Sequence, residues 1–162
     1  MKYVFSLLAF VLLMSCTTQK NSSQFSKIEY EAGPCFGFCP IYKMTINPDR
    51  TAVLEAERFN FSKGNSKDDF SKPREGTFTA TIKKEDFDNL VVLLNDLDAK
   101  SLKDFYGNKN VTDLPTSYLR LDFTNGSKKQ IQDYGKNGSD KLKAVYNAFE
   151  DLKTSQSWTK IE

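Results

Sequence analysis

No histidine occurs anywhere in this 162-residue chain. Its absence removes Ser-His-Asp and Cys-His nucleophilic machinery, histidine metal ligands and the usual general base near neutral pH. Charge of one sign is also missing, since 23 basic residues face 21 acidic ones. A nucleic-acid binder is expected to have a domain pI above about 9 and a clustered basic face, so no nucleic-acid partner is expected. Lys128-Lys129, beside a turn, reads as a solvated strand end. No apolar run reaches the roughly 20 residues of a membrane-spanning helix. Cysteine is scarce as well, with three residues, but aromatics make up 13% of the chain and can supply a core without disulfides. Nothing calls for a cofactor or a metal.

What is present begins at the N-terminus. Lys2 is a minimal positive region, and residues 4–14 are apolar except for Ser6. About eleven residues suit a signal-peptide core. Leu13-Met14-Ser15-Cys16 resembles the lipobox of bacterial lipoproteins, in which a small residue precedes the cysteine that is cleaved and lipidated. The resemblance implies a signal peptide at 1–15, a lipidated Cys16, and a polar tether through residue 24. The other readings of the run are an ordinary secretory signal or an amphipathic first helix of a cytosolic protein. Each buried CH₂ of an acyl chain contributes roughly 0.8 kcal/mol of membrane affinity, so two or three chains would hold the protein on a bilayer. The tether spans at most about 28 Å when extended. Surface-bound lipoproteins of this kind often carry acidic residues just after the cysteine. None occurs here before Glu29, which favours an anchor facing the periplasm, with the outer membrane as the expected location.

Once Lys2 leaves with the leader, 22 basic residues face 21 acidic ones. The mature length suits one domain with a real core, expected over residues 25–155 with a tail at 156–162.

Gly33-Pro34-Cys35-Phe36-Gly37-Phe38-Cys39-Pro40-Ile41-Tyr42 is the stretch around which the rest is organised. Pro34 and Pro40 fix their own φ and push the residues before them toward extended conformations. Gly37 can take a positive φ and turn the loop back on itself. With Cys16 assigned to lipid, Cys35 and Cys39 remain as an even pair, which in an oxidising compartment is most often a structural disulfide. A redox pair is the sharper alternative, although such motifs usually have two intervening residues and open a helix. Here there are three, and a strand follows. Metal binding would need two more soft ligands.

Strands are expected at residues 25–31, 41–46 and 51–59, the last two joined by the turn Asn47-Pro48-Asp49-Arg50. Residues 62–75 are polar and read as a connection, and an alternating pattern resumes at 76–83. Phe87, Leu90, Val91, Leu94 and Leu97 form one apolar helical stripe, with Glu85 and Asp86 in its first turn. Leu142, Val145, Tyr146, Phe149 and Leu152 repeat those offsets behind a Ser139 N-cap. Between them lies a hairpin around Thr124-Asn125-Gly126. A two-residue turn would set Ile131 opposite Arg120, whereas a three-residue loop with Gly126 left-handed pairs Leu119 with Ile131. Register follows the apolar face, which selects the longer loop. Strands, helix, hairpin and helix in this order predict an α+β fold, an antiparallel sheet with two helices on one face.

Val111-Thr112-Asp113-Leu114-Pro115-Thr116 precedes the hairpin and reads as a capped turn. Asp113 could also pair with Asp133 as two carboxylates, or join Tyr42 and Tyr134 in a polar pocket; paired carboxylates do acid–base work only when their environments split their pKa values. The cysteine loop running into Tyr42, then Thr112-Asp113-Leu114-Pro115-Thr116, then Asp133-Tyr134, together resemble the bacterial family catalogued as domain of unknown function 6438, over residues 26–153. Many of its members look like lipoproteins. The resemblance implies an envelope lipoprotein domain and a Cys35–Cys39 bridge, and no chemistry. The polar insertion at 62–75 departs from the family's pattern.

The expected function is that of a non-enzymatic, lipid-anchored envelope domain that is structural or binds a protein, peptide or glycan. Phe36, Phe38 and Tyr42 are its candidate contacts, although the same aromatics could be core. The alternatives are a hydrolase using Asp113 and Asp133, and a thiol oxidoreductase using Cys35 and Cys39.

Overall fold

A computed structural model describes residues 23–61 and 67–162. The leader, Cys16 and most of the tether lie outside the described residues. Strand β1 (Phe25–Ala32) buries Phe25, Ile28, Tyr30 and Ala32. It pairs antiparallel with β2 (Ile41–Ile46), which pairs with β3 (Thr51–Arg58) through the turn at Asn47. There the Arg50 N–H donates to the Asn47 carbonyl at 2.9 Å. Within the expected polar connection, Lys67–Ser71 forms a 3-10 turn before β4 (Gly76–Thr81).

Helix α1 (Lys84–Asp96) carries the expected stripe, and Phe87, Leu90, Val91, Leu94 and the following Leu97 are all buried. A short 3-10 turn and the two-residue strand β5 (Phe105–Tyr106) follow. The hairpin is β6 (Thr116–Phe123) and β7 (Lys128–Tyr134). Its register pairs Leu119 with Ile131, and Gly126 has φ 83°, so the three-residue loop is the one formed. Helix α2 (Asp140–Ser155) starts at Ser139, whose hydroxyl accepts from the Leu142 N–H at 3.2 Å. Strand β8 (Thr159–Lys160) then pairs with β4.

The strands form one sheet in the order β5-β7-β6-β1-β2-β3-β4-β8. Every pairing is antiparallel except β5 with β7, so the sheet is mixed rather than wholly antiparallel. The chain returning from α1 reaches the edge beside β7, where the Gln132 N–H donates to the Asp104 carbonyl at 2.8 Å. Two residues are too few to leave an alternating pattern in the sequence.

The apolar stripes of both helices share a single core with the inward residues of β1, β2, β3, β6 and β7. Tyr30 stacks on Phe149 and Tyr146 of α2, at 4.7 and 5.4 Å between ring centroids. The opposite face is polar, and there Arg120 reaches Glu29 at 2.8 Å and Glu31 at 2.7 Å. Among the described residues, no helix is long and apolar enough to cross a membrane.

Candidate functional site

Strand β1 runs toward the cysteine loop, and its other end receives the chain from the tether. At the loop end, Gly33 donates its N–H to the Thr116 carbonyl at 2.7 Å, and a Cβ there would meet that oxygen at 3.2 Å. A side chain would crowd this bond, which suits glycine. Cys35 and Cys39 are joined by a disulfide with their Cα atoms 5.8 Å apart, and Gly37 has φ 134°. No helix follows Cys39; β2 does.

The second motif braces the first. The Phe36 N–H donates to the Asp113 carbonyl at 3.0 Å, and Asp113 is left-handed with φ 64°. The third motif braces the second. The Leu114 N–H donates to the Tyr134 hydroxyl at 3.3 Å, and the Gly135 N–H donates to the Pro115 carbonyl at 2.8 Å. Three segments distant in sequence are thereby cross-tied at one end of the sheet.

This bracing holds Phe36 with 87% of its surface exposed. Phe38 instead packs edge-on against Phe59 at 5.4 Å and contacts Phe70 at 5.5 Å, while Phe59 and Phe70 are 5.1 Å apart. Phe59 has φ 61°, a conformation rare for a bulky side chain. Tyr42 is core, with its hydroxyl donating to Glu150 at 3.0 Å. Of the three aromatics, Phe36 is displayed, Phe38 belongs to a partly exposed satellite cluster around the buried Phe59, and Tyr42 is buried.

The two candidate carboxylates have different surroundings. Asp113 is exposed. Asp133 is fully buried and accepts from the Asn137 N–H at 3.1 Å, the Gly138 N–H at 2.9 Å and the Tyr146 hydroxyl at 3.3 Å. Those contacts fix the turn that launches α2. Tyr134 lies on the other face of its strand and reaches the second motif. No hydrogen bond joins Asp113 to Asp133, Tyr42 or Tyr134 through its carboxylate.

A polar layer lies under the loop on the helix side. The Tyr30 and Ser117 hydroxyls share a 3.0 Å hydrogen bond. Lys153, almost fully buried, donates to Glu150 at 2.8 Å and sits 4.7 Å from the centre of the Tyr42 ring. Lys136, with φ 55°, lies 5.9 Å from the centre of the Tyr30 ring. Burial raises the pKa of Tyr30, Tyr42 and Tyr146 well above the ordinary phenol value; the Glu150 and Asp133 carboxylates reinforce this at Tyr30, Glu150 at Tyr42, and Asp133 at Tyr146. Burial lowers that of Lys136, partly opposed by Glu150 and Asp133 and aided by Lys153.

The sequence reading missed Tyr30, Phe59, Phe70, Lys136, Glu150 and Lys153. One signal was available for the charged pair, since Glu150 and Lys153 are three apart on a helix and flank Leu152. A shallow depression of about 300 Å³ on the open face, near Pro34 and Ile41, includes Glu31, Glu55 and Glu57. These are ion-paired already with Arg120, Lys43 and Arg74. Among the described residues, no group of three or more His, Cys, Asp or Glu side chains could hold a metal ion.

No curated protein sequence matches the chain. The family model described as Domain of unknown function (DUF6438) matches residues 26–153, and so takes in all three cross-tied segments. The chain belongs to that family.

Proposed function

We propose that this protein is a lipid-anchored domain of the bacterial cell envelope that acts as a non-enzymatic binding module, offering its cysteine loop to a protein, peptide or glycan. The observation that carries the reading is Phe36, held almost fully exposed on a loop closed by a disulfide and tied by backbone hydrogen bonds to the Asp113–Thr116 segment, which the Tyr134–Gly135 segment braces in turn. Exposing a large aromatic in water gains nothing for folding, and rigid aromatics are the usual anchors of recognition surfaces. The leader and Cys16 support the anchor, with the domain on the periplasmic side of the outer membrane. Strand β1 is eight residues long, which separates the loop from the tether's entry point by roughly 26 Å.

Two alternatives draw less support. In the carboxylate hydrolase, Asp133 would have to leave three donors and reach solvent. In the thiol oxidoreductase, the cysteines would lack the helix N-terminus that lowers a thiol's pKa.

Mass spectrometry of the membrane-extracted protein tests the anchor. An acylated N-terminal Cys16, with release of a Cys16→Ser variant into the soluble fraction, is the expected result; an unmodified Cys16 in a soluble protein contradicts it. Crosslinking in cells tests the loop, and a Phe36→Ala, Phe38→Ala variant that stays folded while losing its crosslinked partner is expected. A partner retained by that variant, or lost only through unfolding, overturns the recognition role.

A further inference from the structure

Lys136 combines a backbone and a degree of burial that both disfavour a lysine. Its backbone is left-handed at φ 55°, where glycine or asparagine is the usual occupant. Its side chain is half-buried, and its ammonium makes no hydrogen bond or ion pair among the described residues. The nearest aromatic ring, that of Tyr30, is 5.9 Å away, at the outer limit for a cation–π contact.

Its neighbours are otherwise satisfied. Glu150 takes a proton donor on each oxygen, from Tyr42 at 3.0 Å and Lys153 at 2.8 Å. Asp133 takes two backbone amides and the Tyr146 hydroxyl. Tyr30 is paired with Ser117. One set of donors in the cluster lacks an acceptor, and it belongs to a lysine held rigidly beside the cysteine loop. The Gly135 N–H bond to Pro115 fixes the residue before Lys136, and the Asp133 bonds fix the two after it. A side chain that breaks local rules, with only through-space attraction from Glu150 and Asp133 to offset them, marks a candidate site for a bonding partner from outside.

We propose that Lys136 is the anchor of an anion-binding site beside the cysteine loop, and that its ligand is a carboxylate. A single free ammonium complements a monoanion. A phosphate dianion would add charge close to Glu150 and Asp133, the two carboxylates that face Lys136. A carboxylate can accept a charge-assisted hydrogen bond from the ammonium. The site does not depend on lipidation of Cys16, so it stands or falls separately from the anchor.

Competitive acylation of the full detergent-solubilised protein by an amine-reactive ester, read by peptide mass spectrometry, tests this. Lys141 on α2, whose ammonium is exposed and pairs with Asp96 at 3.2 Å, is the internal control. N-acetyl-alanyl-alanine, a peptide with a free C-terminal carboxylate, is expected to slow labelling of Lys136 at least threefold without changing Lys141. Its C-terminal amide is expected to do nothing. Glucuronate in a parallel arm separates a peptide terminus from a sugar acid, and protection by either supports the carboxylate. Protection by inorganic phosphate alone, equal slowing at Lys141, or a Lys136 that never labels would each overturn the proposal. A Lys136→Gln variant supplies the second readout, because a ligand-binding lysine can be removed with the melting temperature unchanged or raised. A clear drop in that temperature would mean that the lysine is structural, and would overturn the proposal too.

Discussion

The two ends of the sheet are built differently. At the end where the chain enters, β2–β3 and β6–β7 are closed by short local turns. Asn125 accepts from Ser127 two residues on, Asp49 accepts from Thr51, and Arg50, Asp98 and Gly126 supply the positive φ values. At the cysteine-loop end, the positive φ values fall at Gly37, Phe59, Gly76, Gly107, Asp113, Gly135 and Lys136, and the bonds join segments far apart in sequence. A half-buried cation and a buried carboxylate also lie there. At the non-glycine positions Phe59, Asp113 and Lys136 such a backbone persists only where surrounding structure enforces it, and strain of that kind collects at functional sites. One end of the molecule is made to close the sheet, and the other to hold a particular surface in place.

Alkaline pH should separate the ends most strongly. Tyr30, Tyr42 and Tyr146 all lie beneath the loop with pKa values raised by burial. In the unfolded chain each ionises near pH 10. Their stabilising contribution is therefore complete below pH 10 and is lost as pH rises toward the folded-state values, by roughly 1.4 kcal/mol per tyrosine at pH 11. Urea denaturation from pH 8 to 11 should show this fall, and Tyr146→Phe should make it shallower; an unchanged slope would contradict the assignment.

Asp133→Ala should follow at about 3 kcal/mol, because it strands two backbone amides and the Tyr146 hydroxyl. Asn125→Ala at the other end, which removes a local turn acceptor, should lower stability by only about 0.5–1 kcal/mol. Equal losses in denaturant titrations would erase the contrast. Replacing both loop cysteines by serine should cost about 2 kcal/mol, since the closed loop is so short, and a much larger loss would make the bridge a keystone rather than a shaper of the loop. Lys136→Gly should be neutral or raise stability by up to about 1 kcal/mol, because glycine suits a left-handed backbone. Calorimetry showing destabilisation would remove Lys136 from the strained set.

The sequence made local features plain and contacts between distant segments obscure, for physical reasons. Both helical stripes, the Ser139 cap, the Asn47 turn and the hairpin register are each encoded within about a dozen consecutive residues, and all are present. Tyr30 against Phe149, or Phe36 against Asp113, depends on which distant segments become neighbours, and periodicity does not carry that. Asp133 lay between these cases. It stands two residues after Ile131 on the inward face of one strand and six before the Ser139 cap. That spacing points to a buried acceptor serving the helix start more than to a surface acid.

Recognition at the cysteine-loop end, and none at the other, is what the contrast between the two ends implies. A photoreactive residue at position 36, compared in living cells with the same residue at position 125 in the hairpin turn, tests it directly. A crosslinked product of defined mass is expected from position 36 and none from position 125. No product from 36, or the same product from both, would contradict it.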